Sequence, residues 1–65
     1  MKVLITGALG RVGVMVVEEA LAKGFHVRAT DLDAPKNRET GATFSQRGVE
    51  VVYGNLLDEA FLQNL

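Results

Sequence analysis

The chain has 65 residues, a formal net charge of −1 and no cysteine. It is therefore one small domain at most, and no disulfide holds it. A single histidine, His26, has no second His or Cys nearby, which argues against a structural zinc site. Without a basic surplus, nucleic acid is not an expected partner. No apolar stretch reaches the ~18 residues that span a membrane, and the opening run to Gly7 is too short for a signal peptide. The expectation is a soluble, cytoplasmic protein with no membrane partner.

Val3-Leu4-Ile5 is a continuous apolar run closed by Gly7, and it predicts a strand buried on both faces, as in parallel sheets. Gly10 to Lys23 predicts a helix with Val12, Val16, Ala20 and Lys23 on one side and Gly13 and Val17 beside them. Met15 fits a core-packing position on it. Glu19 and Lys23 have i,i+4 spacing, and Gly24 is placed as the C-terminal stop. Phe25 to Thr30 alternates as a second strand, closed by Asp31, with His26 on the outer phase. Leu32 to Gly48 is the least regular stretch. A short helix around Arg38 to Arg47 fits it, weakened by Gly41 and two threonines. Val49 to Tyr53 is a third strand. Asp58 has the character of an N-cap opening a helix through Ala60, Phe61 and Leu62, with Phe61 packed inward.

The order β-α-β-(loop or helix)-β-α predicts an α/β fold: a three-layer Rossmann-type parallel sheet with right-handed crossovers. Residues 1–65 supply only its first β-α-β-α-β portion. The chain stops within a helix, so the expectation is the N-terminal part of a larger NAD(P)-binding domain. The missing C-terminal portion, or self-association, would then complete it. An unpaired first strand in so small a chain points the same way.

The segment Thr6-Gly7-Ala8-Leu9-Gly10-Arg11-Val12-Gly13 leaves a buried strand and enters a helix. Unpaired N–H groups and the helix dipole favour a compact dianion at such a point. Gly7 suits the sharp turn, Gly10 the close approach of a pyrophosphate, and Gly13 close packing of helix on sheet. A glycine triplet can also serve a ligand-free turn; its position within a βαβ unit favours the phosphate reading. Asp31, at the end of the second strand, is placed to accept hydrogen bonds from the adenosine ribose hydroxyls. The residues so marked for the cofactor are Gly7, Ala8, Leu9, Gly10, Arg11, Val12, Gly13 and Asp31.

Thr6-Gly7-x-x-Gly10-x-x-Gly13 resembles the signature of the extended and atypical short-chain dehydrogenases/reductases, the NAD-dependent epimerase/dehydratase group. Gly54-Asn55-Leu56-Leu57-Asp58 resembles that family's Gly-Asp-Leu-x-Asp element after its third strand. The resemblance implies that the second residue of this element contacts the adenine amino group. Here it is Asn55, whose amide oxygen can still accept that bond without the charge. Leu56 would border the adenine. The family's catalytic Tyr-x-x-x-Lys has no counterpart, because Tyr53 is followed four residues later by Leu57. Tyr53 is read as core or sheet-edge packing, and no catalytic residue is assigned.

The resemblance implies NAD as cofactor, with NADP as the alternative. Asp31 and Asp33 make the ribose corner acidic and disfavour a 2′-phosphate; Arg11, Arg28 and Arg38 are the cations near enough in sequence to offset them. The dinucleotide is the expected partner. The function implied is that of the N-terminal portion of an oxidoreductase or a sugar-nucleotide epimerase or dehydratase. The alternatives are a non-catalytic NAD(P)-sensing module, or a structural piece with no tight ligand.

Overall fold

The computed structural model describes residues 1–65. Three strands, β1 (Lys2–Thr6), β2 (His26–Asp31) and β3 (Glu50–Tyr53), alternate with helices α1 (Arg11–Ala22), α2 (Pro35–Gln46) and α3 (Glu59–Gln63). The sheet is wholly parallel in the order β1-β2-β3. This is the α/β arrangement the sequence predicts, and its strand order is that of the first half of a doubly wound fold.

Register decides which side chains share a face. Val3 and Ile5 stand beside Val27 and Ala29, and Ala29 and Asp31 stand beside Val51 and Tyr53. Successive strand residues point to opposite faces, so these form one continuous apolar face. Val17 and Ala20 of α1, with Val14 and Leu21 beside them, pack on it, as does Phe44 of α2. The other face carries Lys2, His26, Arg28 and Glu50, with Arg28 and Glu50 paired at 2.7 Å. Both long helices therefore lie on the apolar side. Arg47, which caps α2, also pairs with Glu18 of α1.

Several local expectations change. Leu4 is 47% exposed and Val3 and Ile5 are only half-buried. β1 is thus not buried on both faces: it has a strand neighbour on one side only, and its Leu4 face has no long helix over it. The buried stripe of α1 is rotated from the expected one. Val17 and Ala20 are buried, but Val12 is 74% and Met15 70% exposed. Met15 is not a core residue; with Val12 and Val16 it lines a groove beside β1. The irregular stretch is a full twelve-residue helix, α2. Pro35 sits in its first turn, where the missing N–H is no loss. Gly41, which weakens the helix in isolation, lets α2 lie on β3: a Cβ there would come within 3.0 Å of the Tyr53 ring and 3.2 Å of Val51.

Helix ends follow the expected chemistry. Gly24 takes φ 76° just after α1, a conformation costly for any residue with a Cβ. Asp58 caps α3, its Oδ1 accepting from the amides of Ala60 at 3.0 Å and Phe61 at 3.3 Å. Glu19 and Lys23 pair at 3.5 Å. No helix is long and apolar enough to cross a membrane.

Candidate dinucleotide site

The site lies at the C-terminal ends of the strands. Gly7 leaves β1 at φ 61°, and Gly10 precedes α1 in extended backbone as its N-cap. Between them the chain is tied down to β2. The Ala8 amide donates to the Thr30 carbonyl at 3.1 Å, and the Leu9 amide donates to Asp31 Oδ2 at 3.0 Å. Both side chains are buried in the core. Ala8 and Leu9 therefore anchor the turn, with their amides already engaged, and do not offer N–H groups to a ligand.

The free donors come next. The amides of Arg11, Val12 and Gly13 have no partner within the chain, since Gly10 has no capping side chain and the first bond of α1 runs from Val14 to Gly10. No acidic side chain lies in that first turn. Three unpaired N–H groups at the positive end of a twelve-residue helix favour an anion. The glycines divide the work. A Cβ on Gly13 would lie within 2.7 Å of Ala8 Cα and closer still to the Gly7 carbonyl, so this glycine is needed for the turn to pack under α1. A Cβ on Gly10 would meet only the Gly7 carbonyl at 3.8 Å. The fold tolerates a side chain at Gly10, and the open space there is free for a ligand.

A cleft of about 160 Å³ adjoins the turn, lined by Gly7, Asp31, Leu32, Gly54, Asn55 and Leu56. Four residues marked from the sequence meet in it: Gly7, Asp31, Asn55 and Leu56. Leu32 and Gly54 were not marked. An apolar residue one step beyond the strand-end acid was the available signal for Leu32. Gly54 is explained by Phe61, whose ring occupies the space a Cβ would need. The Gly54 amide also donates to the Asp31 carbonyl at 3.0 Å, which holds the ends of β2 and β3 together.

Asp31 accepts through both oxygens, from Leu9 at Oδ2 and from the Leu32 amide at Oδ1, 2.8 Å away. Each oxygen keeps a second lone pair for a ribose hydroxyl. Asp33 is engaged by Arg38, which meets both its oxygens at 2.8 Å, and the guanidinium lies 4.1 Å from the centre of the Tyr53 ring. The Arg38 hydrogen bond holds the Asp33 carboxyl below the usual carboxylate range. Arg28 is on the opposite sheet face with Glu50, whose carboxyl its hydrogen bond likewise lowers. Two of the three cations considered for a 2′-phosphate are thus already matched by carboxylates; Arg11 is exposed at the start of α1 and makes no ion pair. Tyr53 is half-buried beneath Arg38 and belongs to the packing of α2 on β3.

A glycine turn, a free helix N-terminus and an acid at the end of the second strand together define the Rossmann class of nucleotide-binding domains. A family model covers residues 1–65, that of the NmrA-like family, and the chain belongs to that family. The NmrA-like family falls within the NAD(P)-binding Rossmann superfamily, a broader placement than the epimerase/dehydratase resemblance read from the motifs. No curated protein and no solved structure matches the chain.

Proposed function

We propose that this chain binds a nicotinamide dinucleotide, NAD in preference to NADP, as the nucleotide-binding portion of an NAD(P)-dependent protein. The observation that carries the reading is the row of unpartnered amides at Arg11, Val12 and Gly13 beside a cleft ending at Asp31. The pyrophosphate fits the amides, with Gly10 leaving it room. The adenosine ribose fits Asp31, and the base fits between Leu32 and Asn55-Leu56. A carboxylate at Asp31 accepts from a free 2′-hydroxyl and repels a 2′-phosphate.

When bound, a nicotinamide ring supplies hydride transfer chemistry. What these residues contribute is binding and orientation. Tyr53 is their only tyrosine, and its place under Arg38 does not suit it to proton transfer at the cofactor. The chain by itself is therefore read as a binding unit without turnover.

The test is calorimetric titration of the chain with NAD and with NADP at one ionic strength. Tighter binding of NAD is expected. Tighter binding of NADP would reverse the specificity reading, and no binding of either would sink the functional one. Hydride transfer by the purified chain, with contaminating dehydrogenase removed, would overturn the assignment as a binding unit alone.

A further inference from the structure

One edge of the sheet carries unsatisfied backbone in a fixed pattern. The His26 amide donates to the Met1 carbonyl at 2.8 Å, and β1 runs parallel to β2 from Lys2 to Thr6. Each strand residue sends its N–H and C=O to the same side, and the side alternates along the strand. Val3 and Ile5 therefore bond towards β2. Lys2, Leu4 and Thr6 turn their backbone groups outwards, where no strand lies. Beside this edge, on the helix side of the sheet, runs a groove of about 450 Å³ whose α1 wall includes Val12, Met15 and Val16, all exposed. The only charged side chains lining it, Glu19 and Lys23, pair with each other at 3.5 Å. The surface is thus apolar, electrically neutral and bordered by a row of backbone groups that lack partners.

We propose that this surface is a two-fold dimer interface, in which β1 pairs antiparallel with β1 of a second copy and Leu4 lies on the axis. Two identical edges related by a two-fold must play the same part. Only an antiparallel ladder lets them, since the two strands of a parallel pair bond differently. The register follows from the outward groups. With Leu4 opposite Leu4 of the second copy, Lys2 stands opposite Thr6 and Val3 opposite Ile5. Every outward N–H and C=O of β1 then has a partner. A centre at Val3 would leave Thr6 unpaired, and a centre at Ile5 would leave Lys2 unpaired. A centre at Lys2 would set two ammonium groups directly opposite each other. The helices fit the same axis. α1 packs across both β1 and β2, and neighbouring strands lie about 4.8 Å apart. The axis thus sets the two α1 helices roughly 10 Å apart, the spacing of helices in direct contact. Val12, Met15 and Val16 of each copy fill the space between them and close the groove. The proposal does not rest on the dinucleotide reading.

Cysteine cross-linking tests it cleanly, because the chain has no cysteine of its own. In this register the Cα atoms of the two Leu4 residues lie about 5.5 Å apart, within reach of a disulfide. Leu4→Cys should therefore oxidise to a covalent dimer about tenfold faster or more than Ser45→Cys, an exposed position on α2. Lys2→Cys and Thr6→Cys should each cross-link poorly alone, their like copies being roughly 13 Å apart along the ladder. Mixed together they should cross-link well. Sedimentation equilibrium of the unmodified full chain should show the mass rising to that of a dimer and no further. Circular dichroism shows whether each variant is folded. Should Leu4→Cys prove unfolded, the sedimentation result and the mixed pair decide. Cross-linking of Leu4→Cys no faster than that of Ser45→Cys overturns the proposal, as does cross-linking of Lys2→Cys with itself in preference to Thr6→Cys. Growth beyond the dimer overturns the closed two-fold and indicates open-ended joining of β1 to β3 of the next copy. A monomer at every concentration up to the solubility limit overturns the interface altogether.

Discussion

The Leu9 amide and the Asp31 carboxylate meet at 3.0 Å across 22 residues of sequence. That bond fastens the glycine turn to the end of β2. Asp31 is thus a clip for the loop as well as a lining residue of the cleft.

The two roles separate by substitution. Asp31→Ala removes the clip and the charge together. It should cost about 1–3 kcal/mol of stability and also narrow the preference for NAD over NADP. Asp31→Asn keeps an acceptor for the Leu9 amide but loses the charge. It should narrow the preference with a smaller loss of stability. Urea unfolding and paired titrations of the two cofactors measure both effects. Equal destabilisation with an unchanged cofactor ratio would leave Asp31 as a structural clip only.

Gly10 and Gly13 should fail in different ways. Gly10→Val adds a side chain where the nearest chain atom to a Cβ is 3.8 Å away, so the fold should survive and dinucleotide binding should not. The loss should exceed that of Arg11→Ala by roughly tenfold or more, because an exposed arginine contributes modestly. Gly13→Ala drives a Cβ into backbone and should destabilise the chain by about 3 kcal/mol or more. Thermal unfolding without ligand distinguishes them. A Gly10→Val variant that binds normally would show that close approach to the turn is not needed.

How far the sequence disclosed this arrangement depends on whether a signal is local. The glycine turn, Gly24 and the Asp58 cap are local, and the structure places each as the sequence implies. The helix α2 is not legible locally. Gly41 lowers its intrinsic helicity, and the reason for a glycine there lies across the sheet in Tyr53. Met15 was misplaced because periodicity gives the width of an apolar stripe but not the part of it that finds a neighbour. Ala8 and Leu9 lie in the turn and Asn55 lines the cleft, yet which of their polar atoms are already taken depends on Thr30, Asp31 and Leu57. Only the folded geometry supplies that.

The Gly41–Tyr53 contact can be tested as a pair. Gly41→Ala raises intrinsic helix propensity but collides with the Tyr53 hydroxyl end. Net destabilisation of about 1–3 kcal/mol is expected. Tyr53→Phe removes the hydroxyl, and in that background Gly41→Ala should be milder. Additive losses in the double-mutant cycle would mean that the two residues do not oppose one another.

Acid should weaken the two arginine–carboxylate pairs in a defined window. Asp33 and Glu50 both titrate lower when folded than their ordinary values of 3.8 and 4.5. Their contribution is fully present above those values and is lost as the pH falls through the lower folded-state pKa. Both pairs are exposed, so salt should mute the effect. Asp33→Asn and Glu50→Gln should each flatten the fall in stability below about pH 4.5, measured by denaturant midpoints across pH. An unchanged acid limb in both variants would show that other carboxylates control it.

The open side of β1 should govern the behaviour of the chain in solution. The His26 amide donates to the Met1 carbonyl at 2.8 Å, so in a regular parallel strand Val3 and Ile5 bond towards β2. Lys2, Leu4 and Thr6 then turn their N–H and C=O groups to the free edge. Beside that edge lies a groove of about 450 Å³, lined on β1 and α1 by Val3, Ile5, Val12, Met15 and Val16, with Phe25 at its end. An apolar strand with unpaired polar backbone is a template for another strand. The isolated chain should therefore associate with itself as its concentration rises, and the amides of Leu4 and Thr6 should gain protection as it does. Leu4→Lys places a charge on the edge and should shift the balance towards monomer without preventing folding. Sedimentation equilibrium from low micromolar concentrations upward, paired with amide exchange, measures both effects. A monomer at every concentration, with Leu4 already protected, would mean that the edge is shielded within a single chain.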